Sequence, residues 1–283
     1  MLGFLNINKP SGVTSNYIVS NIRKKLKIKK VGHFGTLDPL ASGVLPIAIG
    51  RATKLFDYFL EKEKEYIATF QFGYLTDTLD SEGKVIETSK NIPTEEEIIE
   101  ILKTFIGKQN QIPPMYSAKN INGVRAYTLA RMGEIVELAP KEIEIYDIAI
   151  LEKIDNNTYK FLIKCSSGTY IRSIARDLGK KLNTFATMIG LIRTKSGCFE
   201  IENSVTIDKY NENDILKIED VLKLPEIIVN PDSYKQLSNG VKIKYNTNGE
   251  TKKGLVYCNG DFFGIGVIEN NMLKIDIYLK EDL

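Results

Sequence analysis

His33, Gly35, Asp38, Pro39, Ser42 and Gly43 gather the chain's most suggestive chemistry into one short stretch rich in glycine and proline. Asp38 precedes a proline, which drives its backbone toward extended conformations and holds the carboxylate on a turn. The neighbouring glycines leave room for a ligand to come close. A carboxylate so placed can serve as a nucleophile or a base. The same pattern also describes a turn-forming aspartate that bonds its own backbone. Elsewhere, Tyr66 reads either as a catalytic aromatic or as core, Arg172 as a site cation or a surface ion pair, and His33 as a site residue or a loop hydrogen-bonder.

Other chemistries are scarce. His33 is the single histidine, so a His-rich metal centre has no basis and a Ser-His pair could form only there. Cys165, Cys198 and Cys258 lie far apart with no CxxC pair. That fits neither a disulfide framework nor a zinc site, and all three are expected to be reduced core residues. No GxxxxGK loop is present, and Gly264-Ile265-Gly266 lacks the third glycine of a dinucleotide site. No cofactor and no metal are expected.

The 283 residues, 43% hydrophobic and 26% charged, describe a globular protein able to hold two domains. No apolar run is long enough to span a membrane, and the N-terminus lacks the features of a secretion signal, so a cytoplasmic location is expected. Net charge is only +2, but its distribution is uneven: residues 1–60 carry nine Lys/Arg against two Asp, and residues 61–100 four Lys against eleven acids. Residues 160–200 are basic again, with eight Lys/Arg and two acids. Two basic segments brought together would suit a polyanion.

The elements that must position these residues follow from pattern. Residues 3–8 read as a strand, followed by a turn at Lys9-Pro10-Ser11-Gly12 and a helix capped near Thr14 or Ser15, with Ile18, Val19, Ile22 and Leu26 on its apolar face. Residues 31–46 show neither period and read as a loop. EYIATFQFGY, residues 65–74, alternates as a half-buried strand with Tyr66, Ala68, Phe70 and Phe72 on one face. Thr94 with Glu97 is a capping box opening a helix that buries Ile98, Ile101, Leu102 and Phe105. Residues 141–154 and 158–166 form a hairpin. A helix follows from an N-cap at Thr169, which puts Arg172 in its first turn, where the dipole disfavours a cation and a compensating anion is required. After Pro225 come short strands with Gly and Asn turns, a small β-domain.

Five separated motifs resemble one family, the bacterial tRNA pseudouridine-55 synthases of the TruB type. They are Asn8-Lys9-Pro10-Ser11-Gly12; Gly32 to Pro46, containing GTLDPLASG; Tyr66 with Thr76-Asp77-Thr78-Leu79-Asp80-Ser81-Glu82-Gly83; Pro113 to Ala118; and Cys165 to Arg172. Residues 257–268 are similar to the strand pair of a PUA domain. The resemblance implies an α+β fold: a mixed-sheet pseudouridine synthase catalytic domain, residues 1–222, followed by a small PUA-like β-barrel domain, residues 223–283. It implies isomerisation of a T-loop uridine of tRNA to pseudouridine, with Asp38 as the essential aspartate, Tyr66 stacking on the uracil and Arg172 pairing with Asp38.

His33 would support the everted strand, and Pro10, Gly35, Tyr170 and Leu191 would line the substrate. Lys9, Arg23, Lys24, Lys25, Arg176 and Lys180 are candidate phosphate contacts. The family commonly has Thr where Phe34 stands, which would change how the flipped base is received, and Arg where Ile192 stands. The expected partner is the tRNA T arm, with no membrane, no obligate protein partner and a monomeric state. Attack of Asp38 on C1′ and removal of a C2′ proton remain open alternatives. The rival readings are a tRNA-folding factor whose modification is secondary, a guide-RNA-dependent synthase subunit, and a glycosidase using Asp77 or Asp80 as second carboxylate.

Overall fold

The computed structural model describes residues 1–60, 62–117, 120–121, 124–125, 138–246 and 252–280. Ala118, at the end of the fourth motif, lies outside them. The chain opens with β1 (Gly3–Lys9), α1 (Ser15–Leu26), β2 (Val31–His33) and β3 (Ser42–Ile49). Thr14 caps α1, its side chain accepting from Tyr17 N–H, and the helix buries Ile18, Val19 and Ile22. After a short helical turn comes β4 (Lys64–Phe72), whose alternate residues from Lys64 are buried. The capping box at Thr94 and Glu97 opens α2 (Glu95–Leu102), with Phe105 buried in the 3₁₀ turn beyond it.

Further on lie β5 (Gly107–Gln111), the hairpin of β6 (Lys141–Lys153) and β7 (Thr158–Cys165), then α3 (Ile171–Lys181), β8 (Ala186–Ser196) and β9 (Val205–Thr206). These strands form a mixed sheet in the order β9-β1-β3-β8-β4-β7-β6-β5, with β2 pairing on β3. β3 runs parallel to β8, whereas β8, β4, β7, β6 and β5 are successively antiparallel. α1, α2 and α3 cover one face, where Leu5, Ile7, Leu45, Ile47, Phe70 and Phe161 meet Ile18, Ile98, Ile174 and Leu178.

The segment 31–46 is a loop only in its middle. Its two ends are β2 and β3, and β3 has apolar side chains on both faces: Leu45, Ile47 and Ile49 in one core, Val44 and Ala48 in another. A strand buried on both sides shows no alternation, which is why it carries no period-2 signal. The closeness of β3 to β8 depends on Gly43. Its φ is +100° and an added Cβ would lie 2.3 Å from the Arg193 carbonyl oxygen. We expect Gly43→Ala to destabilise the fold by about 3 kcal/mol, since neither backbone can retreat. A urea midpoint within error of the wild type would refute this.

The chain ends in a second, five-stranded sheet formed by residues 226–229, 243–244, 252–258, 261–269 and 272–278, curling as a PUA-like unit. Leu255, Ile265 and Leu279 from this region pack with Phe4, Phe34, Val44 and Phe59 against the sheet face that the helices leave free. Of the cysteines, Cys165 and Cys258 are buried as expected, but Cys198 is exposed.

Candidate active site

Asp38 sits on the loop between β2 and β3, and that loop is fastened from two sides. Ser15 at the start of α1 bonds both the N–H and the carbonyl of Leu37, at 2.9 and 3.0 Å. The N-terminal turn holds the other side: Gly12 N–H donates to Pro39 at 2.8 Å and Ser11 Oγ to Leu40 at 2.7 Å. Lys9 belongs to the same fastening. It is fully buried, and its ammonium donates to the carbonyls of Pro10, Val13 and Pro39. Burial pushes its pKa down to about 8. Lys9 is therefore a buckle under the Asp38 loop and not a phosphate contact.

Arg172 comes from the first turn of α3. Its N-cap is Tyr170, two residues earlier than Arg172, and Thr169 lies outside the helix, its hydroxyl donating to Ser166 instead. The cation still faces the wrong end of the dipole, and two carboxylates compensate. Nε lies 2.9 Å from Asp38 Oδ2, and Nη1 lies 3.3 Å from Asp80 Oδ2. The remaining N–H groups donate to the carbonyls of Thr78 and Tyr116. The Arg172 side chain is 6% exposed and that of Asp38 35%, so the cation is shielded while the carboxylate stays open to a reactant.

Asp80 is held in turn by the Thr78 hydroxyl at 2.6 Å and by Glu82 N–H at 3.2 Å. Asp77 accepts from Lys84 N–H and only shapes the turn. Neither acid stands free as a second glycosidase carboxylate. Asp38's carboxylate is bound to Arg172 rather than to its own backbone, which sets aside the plain turn-forming role.

Protein packed round Asp38 raises its pKa above the ordinary carboxylate value, with Arg172 opposing and the Asp80 charge adding to the rise. Replacing Asp80 by Asn removes one of the two raising influences. The acid limb of the pH–kcat profile should then move to lower pH. An unmoved limb would separate Asp80 from Asp38.

These residues line a cleft of about 570 Å³ together with His33, Ser15, Thr36, Tyr116 and Ser117. His33 has its pKa lowered by burial and by the charge of Arg193, so it is neutral near pH 7, and its Nδ1 is buried without a hydrogen-bond partner among the described residues. Tyr66, on β4, is 7% exposed and is not among the residues lining the cleft, and burial raises the pKa of its hydroxyl.

Other expected contacts fall elsewhere. Phe34 points away from the cleft and stacks on Phe59, with ring centroids 5.0 Å apart, so it cannot receive a flipped base. Ile192 is exposed. Arg23 donates to the Val31 carbonyl, Lys25 to Tyr210, and Arg176 to Asp177 and the Ile112 carbonyl. Lys24 and Lys180 are exposed. Leu191 is buried in the sheet core, Tyr170 is clamped through its backbone by the Gln111 amide, and Pro10 is exposed at the turn. Gly35 lies beside Arg193.

Arg193 has no site role in the sequence reading, and Asp80 appears there only as a possible second glycosidase carboxylate and not as a partner of Arg172. Asp80 had a signal, since it lies in the same motif as Thr78 and a buried cation at a helix N-terminus needs more than one anion.

The family model described as TruB family pseudouridylate synthase, N-terminal domain, matches residues 23–171, more than half of the chain. The chain belongs to the TruB family. A model of the tRNA pseudouridylate synthase B C-terminal domain matches residues 172–229. The tRNA pseudouridine synthase B of Caldanaerobacter subterraneus subsp. tengcongensis is 42% identical over 278 residues, 96% of this chain and 97% of that protein. That of Clostridium novyi is 44% identical over 286 residues, 98% and 99% of the two chains. Among solved structures, a Cbf5-Nop10-Gar1 complex matches with a TM-score of 0.67 at 27% identity, covering 94% of this chain and 78% of that one. In this TruB family member the cleft holding Asp38, Arg172 and Asp80 is the part of the fold equipped for chemistry.

Proposed function

We propose that the chain isomerises a uridine of tRNA to pseudouridine, acting on the T loop at position 55. The observation that carries the reading is the Asp38–Arg172–Asp80 cluster, in which one open carboxylate is oriented by a shielded guanidinium at the bottom of a nucleotide-sized cleft. Base and ribose must leave the loop stack to reach it, and extrusion costs a few kcal/mol. His33 lines the cleft, and its neutral ring suits contact with an everted base.

Ionised Asp38 then either attacks C1′ or takes a proton from C2′. In both routes the C1′–N1 bond breaks with its electron pair on the uracil, which turns; C5 then bonds C1′ as the Asp38 carboxylate leaves it, or as the glycal regains its C2′ proton, and C5 gives up its proton while N1 gains one. Tyr66 supplies a ring face for the turning base. Residues 1–222 carry the reaction and 223–283 grip the RNA, the protein working as a cytoplasmic monomer without an obligate protein partner. Arg23, Lys24, Lys25 and Lys180 are exposed cations open to phosphate contacts.

Tritium release from tRNA transcript labelled at uridine C5, in buffer containing EDTA, tests the reading. Release mapped to the T loop supports it. A folded, tRNA-binding protein that releases no tritium overturns it.

A further inference from the structure

Among the described residues Arg193 is the largest fully buried side chain, 2% exposed, and no carboxylate lies within ion-pair distance of it. A buried cation without a counter-ion is costly to keep, and a purely structural position is served better by a neutral side chain. Its contacts show what it holds. Nε donates to the Val44 carbonyl at 2.7 Å, and Nη2 donates to the Gly35 carbonyl at 3.1 Å. Gly35 stands at a φ of +98° with Nη1 3.5 Å from where its Cβ would be, so the loop lies directly against the guanidinium. Three residues further along that loop is Asp38.

On the other side, Arg193 is the register partner of Tyr66 across the antiparallel pair β8–β4. Side chains directly opposite in such a pair leave the sheet on the same face, about 5 Å apart at Cβ. The guanidinium therefore lies on the same face as the Tyr66 side chain, and its charge lowers the pKa of the Tyr66 hydroxyl against the larger effect of burial. Guanidinium has donors only, so a bond between the two groups would have the Tyr66 oxygen accept and leave its own hydrogen free to point elsewhere.

We propose that Arg193 is a positioning residue that ties the Asp38 loop to the Tyr66 strand and fixes the Tyr66 hydroxyl as a donor toward the uracil. This rests on the synthase reading above. When the C1′–N1 bond breaks, the electron pair leaves on the uracil. A hydroxyl that donates to that anion while accepting from an unneutralised guanidinium links the developing charge to a cation. The reach of the Arg193 charge extends to its other neighbours, where it adds to the effect of burial in lowering the pKa values of Lys9, His33 and Lys64.

The test is a double-mutant cycle with tritium release as the assay, measuring kcat and KM for wild type, Arg193→Met, Tyr66→Phe and the double variant. Arg193→Met should lower kcat about 50-fold with KM within about threefold. In the Y66F background the same substitution should cost less than about fivefold, because the hydroxyl it acts through is already gone. Equal losses in both backgrounds overturn the proposal, as does a Y66F variant that turns over like the wild type, or a loss confined to KM. If Arg193→Met does not fold, Arg193→Lys, which keeps the charge and loses the fork, enters the same cycle under the same criteria. A wild type without activity would refute the synthase reading, whereas an active wild type with additive losses refutes only the role of Arg193.

Discussion

Asp38→Asn should lower turnover by about 10⁴-fold or more while tRNA affinity stays within a few-fold of the wild type. Both routes to pseudouridine need an ionised oxygen at this position, and the amide offers neither a nucleophile nor a base. Folding should not suffer. The fold raises the Asp38 pKa, so the native state favours the protonated acid. Ionised Asp38 therefore withdraws stability as pH climbs from the ordinary carboxylate value of about 3.9 through its raised native value, and the loss persists above that. The amide removes the charge that the site resists, and Arg172 keeps Asp80 as a partner. The melting temperature at pH 7.5 should accordingly be no lower than that of the wild type. A large drop in melting temperature, or retained tritium release, would contradict this account of the carboxylate.

Arg172→Met should have the next largest effect, on two quantities together. Removing the guanidinium leaves Asp38 and Asp80 near one another with no shielded cation between them, and takes the Arg172 donors from the Thr78 and Tyr116 carbonyls. Breaking a buried ion pair from one side costs about 3–5 kcal/mol, measurable by urea denaturation. Turnover at pH 7 should fall about 10²- to 10⁴-fold, because the opposing charge that kept Asp38 ionised is gone and its pKa rises further. The sign of the pH effect discriminates. Residual activity should increase as pH is raised past the wild-type plateau, since more Asp38 becomes ionised. Arg172→Lys should fall in between, as one ammonium cannot reach four acceptors in different directions. An acid limb at the wild-type pH in Arg172→Met would separate the two residues electrostatically.

Local signals account for much of what could be read in advance. The Thr14 cap, the Thr94–Glu97 box and the alternation of β4 are each written within a few residues, and each forms as the spacing demands. The site residues on the Asp38 loop were visible for a similar reason, since an aspartate before proline among glycines stands out in one dimension. What stayed hidden depends on strands meeting across the sheet. β3 has no periodic signal because both of its faces are covered. Arg193 looks like any strand arginine until β8 is laid between β3 and β4, and only then does it face Tyr66 on one side and Gly43 on the other. Lys9 misled in the opposite direction, because a lysine in a basic segment suggests solvent and phosphate, whereas three carbonyls from two turns enclose it. Phe34 misled through its neighbours, its ring belonging to the aromatic cluster beneath the sheet.

That cluster joins Phe4, near one end of the chain, to Leu279, near the other. During synthesis Phe4 emerges well before Leu255, Ile265 and Leu279, so the apolar underside of β1 and β3 lacks part of its cover while the residues between are being made. A chain halted before residue 255 would lack that part altogether. It would carry an exposed aromatic sheet face, the kind of surface that nascent chains lose to aggregation or hand to chaperones.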